Sequence, residues 1–300
     1  MRIVLAENFR AVFYAPFYAC LALGFFRRQG LEVSLLASPS PGAGIAGMMA
    51  GSTHLVWGGP LRVLKDRDGA APGPQSLVAF GEVAARDPFF LIGRPELAPL
   101  DLASLPRLRL ATVSEVPTPW LCLQQDLRDL GIDPGSIERV DDARMDQNLE
   151  ALAAGQLDLV QAFEPFVSLA QARGIGVPLK GAHERGYTAY TSFISTEAHL
   201  ERYGEAFRAM ARAICDLPPW LAAEGSAGLA RVVSDYYPHV DPAVLAQSLT
   251  RYQAAQLWSC RPEISRSGFE RLAISMRDSG FIQSISPYEA CVASWAQQAH

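Results

Sequence analysis

No stretch of the sequence reaches the roughly 18 charge-free apolar residues that a membrane-spanning helix needs. The nearest approach, Ala15 to Phe26, stops at Arg27-Arg28. There is no basic stripe either: 26 Lys and Arg against 31 Asp and Glu leave a formal charge of -5, without long runs of either sign. That removes the electrostatic footprint of a nucleic-acid binder. Cysteine is sparse and scattered. Cys20, Cys122, Cys215, Cys260 and Cys291 are odd in number and far apart, which fits buried thiols better than a disulfide framework or a zinc knuckle. No phosphate-binding GxxxxGK loop or GxSxG elbow appears, and the histidines at 54, 183, 199, 239 and 300 show no zinc spacing. His54, the one to consider for catalysis, has no cysteine or carboxylate at ligand spacing and reads as structural. No metal or cofactor is expected. The amino end, Met1-Arg2-Ile3-Val4-Leu5-Ala6, lacks the charged lead, apolar run and cleavage site of a secretory peptide. The protein is expected to be periplasmic if such a signal was removed or missed at the start, and otherwise cytoplasmic.

What is present suits a large folded core: 300 residues, 49% hydrophobic and 19% charged. Ile3-Val4-Leu5 reads as a first strand. The apolar segment Ala15 to Phe26 reads as a buried helix capped at Gly30, and alternating Leu31, Val33 and Leu35 as a second strand. This β-α-β opening implies a parallel sheet. Further strands are expected at His54 to Trp57, Leu77 to Phe80 and Phe89 to Ile92, with Pro95 to Pro106 as a connection. A second α/β unit follows, with strands at Leu108 to Thr112, Leu157 to Ala162 and Gly176 to Leu179. Its helices are marked by Trp120, Leu123, Leu127 and Leu130, and by Met145, Leu149 and Leu152. No tandem repeat is visible.

The last third is helical. Leu200, Tyr203, Phe207, Met210 and Ile214 form one stripe, ended by Pro218-Pro219, and Leu229 to Tyr236 another. Asp241-Pro242 is a helix start, and Phe269, Leu272 and Met276 mark a helix ending at Gly280. A tail this apolar needs a surface to pack on. The chain is therefore expected to return near Ala182 to Thr191 and fold its tail over the first lobe. That gives one lobe of residues 1–93 plus 183–300, and a second of residues 94–182.

Several segments carry a resemblance: Tyr14-Ala15-Pro16-Phe17, Ala22-Leu23-Gly24-Phe25-Phe26, Gly30-Leu31-Glu32-Val33 and Ala50-Gly51-Ser52-Thr53, then Leu152-Ala153-Ala154-Gly155-Gln156-Leu157-Asp158 and Glu164-Pro165. In this order the chain resembles ABC-transporter substrate-binding proteins of the nitrate/sulfonate/taurine class, in the branch related to thiamine-pyrimidine precursors. The resemblance covers most of residues 1–195. It implies a type II periplasmic-binding-protein-like α/β fold, with a cleft between two lobes and a helical C-terminal region packed on lobe 1. It also implies delivery of a small-molecule ligand to an ABC permease.

Open α/β sheets bind ligands beyond the carboxyl ends of their strands, and this rule selects the candidate site. Asn8, Phe9 and Arg10 offer an amide, a ring and a cation, or else form an ordinary surface turn. Trp57 and Gly58 offer a flat indole beside close backbone, or a core tryptophan at a tight turn. Ser114, Thr118 and Trp120 lie where a helix should begin, and its free amides can hold an anion or serve simple cap chemistry. Phe163 and Glu164 pair an aromatic face with a carboxylate that would accept from an amino or ring nitrogen; the resemblance also implies Glu164 at the cleft. Tyr187 and Tyr190 would bring hydroxyls from the return crossing. An aromatic pocket with one carboxylate suits a pyrimidine or other amine-bearing heterocycle, whereas Arg10 alone is thin support for a sulfonate. The expected function is solute binding for ABC-type uptake, without catalysis. The alternatives are a thiamine-pyrimidine-synthase-like enzyme, in which His54 would be the histidine of interest, and a cytoplasmic ligand-sensing protein.

Overall fold

A computed structural model describes residues 1–38 and 42–298; His300 lies outside the described residues. β1 (Arg2–Ala6) buries Ile3 and Leu5 completely, and β2 (Glu32–Leu36) and β3 (Leu55–Gly58) run parallel to it on either side. β4 (Leu77–Ala84) is buried along its whole length. The chain then crosses through residues 85–89 into a second sheet. That sheet is formed by β5 (Phe90–Gly93), β6 (Arg109–Ala111), β7 (Glu138–Val140), β8 (Leu159–Ala162) and β9 (Val177–Gly181). It returns through residues 182–190 to β10 (Thr191–Thr196), and the tail adds β11 (Trp258–Arg261). The strand orders are β2-β1-β3-β10-β4-β11 and β7-β6-β8-β5-β9.

The two sheets share one plan. In each, three parallel strands meet an antiparallel strand that has just crossed from the other lobe: β10 beside β3, and β5 beside β8. A further antiparallel strand follows, β4 or β9. This is a repeat of topology that the residue pattern does not carry. It gives the two-lobed α/β architecture expected, with mixed rather than purely parallel sheets.

Three expectations shift. Residues 90–93 pair with β8 and β9, so the outbound crossing lies at 85–89 rather than after residue 93. Residues 95–107 contain two short 3-10 turns instead, and Leu102 and Leu105 there pack into the second lobe's core. The expected helix from Ala15 breaks into Ala15–Ala22 and Phe25–Arg28, because Gly24 turns left-handed (φ 70°) between them. Pro218 and Pro219 do follow the end of helix Glu197–Ile214. They sit in the first turn of the next helix, Leu217–Val233, where a missing N–H costs nothing.

The tail also does more than cover the first lobe. Helix Leu217–Val233 packs on Ala15–Ala22, as that expectation requires. Helix Pro242–Ala254, capped by Asp241, packs on Phe166–Ala172, and helix Arg266–Asp278 packs on Thr118–Asp129; both partners belong to the second lobe. The tail therefore straddles the molecule. At the crossings, Arg185 reaches Asp87 at 2.6 Å and the Asp126 carboxylate at 3.0 Å, joining both connections to helix Thr118–Asp129. Among the described residues no helix is long and apolar enough to cross a membrane.

Candidate functional site

The carboxyl ends of β1 and β3 face a cleft of about 460 Å³ between the lobes. Glu7, Asn8, Phe9 and Arg10 follow β1. Glu7 is buried and accepts from Arg10 at 2.8 and 3.1 Å and from the Tyr18 hydroxyl at 2.6 Å. This bond set turns Arg10 away from the cleft: its guanidinium also donates to the Tyr236 carbonyl at 2.7 Å and lies over the Tyr18 ring. Asn8 and Phe9 line the cleft.

Beyond β3, Gly58-Gly59-Pro60 leads into helix Leu61–Asp66. A side chain at Gly59 would come within 3.2 Å of the Tyr190 carbonyl, so the chain can make this turn only by close backbone approach. The turn sets Arg62 on the cleft wall. Its Nη2 donates to Asn8 Oδ1 at 2.8 Å, while Asn8 Nδ2 donates to the Tyr14 hydroxyl at 3.4 Å. Arg62 has no carboxylate partner among the described residues, and burial lowers its pKa from the ordinary arginine value. Phe13, Tyr14 and Phe281 add aromatic surface.

The opposite wall comes from Val116, Pro117 and Thr118 of the second lobe, where helix Thr118–Asp129 begins. No side chain caps that end, so the positive dipole end of the helix stands beside the cleft-lining Thr118, although Pro119 has no N–H and the Leu121 N–H donates to the Pro117 carbonyl at 3.2 Å. Tyr190, from the return crossing, also lines it, and neither its hydroxyl nor that of Thr118 bonds to any described residue. The cleft thus gathers a guanidinium, two unengaged hydroxyls, a helix start and aromatic rings.

The remaining candidates fall elsewhere. Trp57 is 0% exposed and stacks on Phe17 at 4.6 Å, so it belongs to the core; Gly58 lies beside Arg62. Ser114 is exposed and bonds Glu115, and Trp120 lies under the Arg139 guanidinium and packs against the second lobe's core. Phe163 meets Phe13 at 5.3 Å and Phe89 at 5.1 Å in an aromatic cluster joining the lobes. Tyr187 is exposed beside Arg86 and Arg261.

Glu164 requires the largest correction. It is 0% exposed, and its carboxylate accepts from Ser168 N and Oγ, both at 2.9 Å, from Ser248 Oγ at 3.1 Å, and from Arg251. Its acceptor capacity is spent within the protein, binding the tail to the second lobe. His54 stands at the start of β3, away from the strand ends that face the cleft. Its Nδ1 accepts the Val4 N–H at 2.9 Å, and burial lowers its pKa, with His199 adding to the effect.

Arg62 escaped the sequence reading because the strand-end rule stops at Gly58. The signal was the glycine pair followed by proline, which opens a helix whose first turn remains at the cleft.

A model described as the NMT1-like family matches residues 96–234. The putative binding protein YtlA of Bacillus subtilis (strain 168) is 24% identical over 297 residues, covering 97% of this chain and 87% of that protein. Among solved structures, a putative sulfonate ABC transporter protein, the periplasmic sulfonate-binding protein SsuA from Methylobacillus flagellatus KT, superposes with a TM-score of 0.75. The identity there is 13%, covering 98% of this chain and 91% of that one. The fold is that of the periplasmic binding proteins. The same fold also serves catalysis: the desulfurization enzyme DSZB superposes with a TM-score of 0.67 at 15% identity, covering 98% of each chain.

Proposed function

We propose that this periplasmic-binding-type protein holds one small organic anion with an apolar or aromatic body in its interlobe cleft, for delivery to an ABC-type importer. The observation that carries the reading is Arg62, a guanidinium at the cleft wall held by the neutral Asn8 amide and not by a carboxylate. A half-buried cation without a counter-charge is costly, and a bound anion removes that cost. Thr118, Tyr190 and the start of helix Thr118–Asp129 supply further donors, and Phe9, Phe13 and Phe281 accommodate the body. The delivery role rests on the similarity to binding proteins, among them the periplasmic sulfonate-binding protein of a sulfonate ABC transporter.

This reading replaces the amine-bearing heterocycle facing Glu164, since Glu164 is sealed inside the protein. The thiamine-pyrimidine branch rests on sequence segments alone, and Glu164 adds no ligand contact to it. The synthase-like alternative gains no observation from His54, whose ring serves the β1 backbone.

Native mass spectrometry of the protein purified from its own host, followed by release of the bound molecule, tests the proposal. A stoichiometric organic anion, absent from Arg62→Ala, is the expected result. A neutral or cationic ligand, or one that Arg62→Ala retains equally, rules the proposal out.

A further inference from the structure

A second cavity, of about 320 Å³, lies in the second lobe beside the crossings and shares no lining residue with the cleft. Strand register builds one side of it. Leu91 of β5 stands opposite Gln161 of β8 and Lys180 of β9, and directly paired residues project to the same face of a sheet. All three line the cavity. Helix Thr118–Asp129 packs on that face, where Leu91, Leu102 and Leu123 share one apolar cluster, and Phe90 adds a ring. The volume is at the lower end of the range for small-molecule sites.

The charged groups around this cavity are paired within the protein. Lys180 donates to Glu184 at 3.0 Å, Arg185 is engaged by Asp87 and Asp126, and Asp129 accepts from Gln125 at 2.9 Å. An ionic ligand finds no open counter-charge among them. Gln161 differs. It is 2% exposed, and its Nε2 donates to the Pro119 carbonyl at 3.0 Å; since a carbonyl only accepts, this bond fixes which end of the amide is the oxygen. That Oε1 is buried and accepts from no described residue. A buried acceptor left unmet is costly, and the neighbouring Leu91, Leu102 and Leu123 offer no donor to meet it.

We infer that this cavity is a second ligand site, which takes a compact neutral aromatic molecule carrying one N–H or O–H group. The ring packs among Phe90, Leu91, Leu102 and Leu123, and the donor meets Gln161 Oε1. The inference does not depend on what the cleft holds.

Amide NMR titration of the full chain with two isosteric probe pairs tests it: indole against benzofuran, and phenol against fluorobenzene. The second member of each pair keeps the ring and lacks the donor. Indole should shift the amides of residues 89–91, 123–130 and 180–182 saturably and leave those of the cleft residues 8–14 and 59–66 in place. It should bind about tenfold more tightly than benzofuran, as for one buried hydrogen bond gained, and phenol should exceed fluorobenzene likewise. Gln161→Met keeps the side chain's length without the acceptor, and should bring both ratios close to one. The ratios in the native protein need no variant, so a folding defect in Gln161→Met leaves the test intact. Shifts confined to the cleft, no saturable shift at the cavity, or equal binding of both members of each pair by the native protein overturns the inference. A preference that survives in folded Gln161→Met does the same.

Discussion

The Arg62 guanidinium donates to the Asn8 side-chain oxygen at 2.8 Å, and that oxygen also accepts the Gly42 N–H at 3.3 Å. An amide in this position orients the cation without neutralising it. Asn8→Asp changes little in shape but places a negative charge against Arg62, pairing it internally. Affinity for an anionic probe such as 4-methylbenzoate should fall tenfold or more, as measured by calorimetry, with the melting temperature unchanged or raised. Native-like affinity in Asn8→Asp would show that Arg62 does not face the ligand.

Glu164 and Arg251 make the opposite kind of pair, buried and internally satisfied. Removing one partner of such a pair leaves a charge or its donors unmet, at a cost on the order of 3 kcal/mol. Glu164→Gln should therefore lower stability in urea unfolding while leaving the probe affinity of folded protein within about twofold. Glu164→Gln with Arg251→Met should recover most of the loss. A large drop in affinity at native stability would return Glu164 to the ligand.

These two pairs mark what the sequence could and could not convey. A short apolar run made β1 legible and alternation β2, and the strand-end rule found Asn8, Phe9 and Thr118 because each follows or opens an element at the cleft. The same rule picked Glu164 by position but could not give its direction. Ser168, four residues on, and Arg251, far along the chain, decide that direction. β10 was invisible for a different reason. All six residues of Thr191–Thr196 are buried, but four are Ser or Thr, so a central strand covered on both faces shows neither alternation nor an apolar run. The tail's reach into the second lobe depends on contacts between helices distant in sequence, which periodicity does not encode.

Glu82 predicts a pH dependence. Burial in β4 raises its pKa from 4.5 to about 7, against the lowering effect of bonds from Ser265 N–H at 3.3 Å and Ser259 Oγ at 3.2 Å. Between these values the folded state holds a proton that the unfolded chain has lost, so stability must fall as pH rises through this window and level off above it. The contribution is about 3 kcal/mol by linkage. Urea unfolding between pH 5 and 8 should show this decline, and Glu82→Gln, which carries no titrating group, should flatten that part of it. An unchanged slope in Glu82→Gln would assign the effect to other groups.

Arg185 ties the two crossings together, and its loss should be felt in lobe motion as well as stability. Burial disfavours its charge, but Asp87 and Asp126 outweigh that and hold it protonated. Asp87 is 0% exposed and sits in the outbound crossing, where its other oxygen accepts the Phe89 N–H at 3.0 Å. Arg185→Met would leave two carboxylates facing each other without a cation, a loss on the order of 3 kcal/mol. Because Asp87 lies in the outbound crossing and Asp126 on the adjoining helix Thr118–Asp129, neither of them in a sheet, hydrogen exchange should accelerate first at residues 85–89 and 182–190. The sheets β1 to β3 and β6 to β8 should keep their protection at denaturant concentrations below the global transition. Adding Asp87→Asn to Arg185→Met removes one of the stranded charges and should restore part of the stability. Uniform acceleration across both sheets would mean that Arg185 supports the whole fold rather than the junction between its lobes.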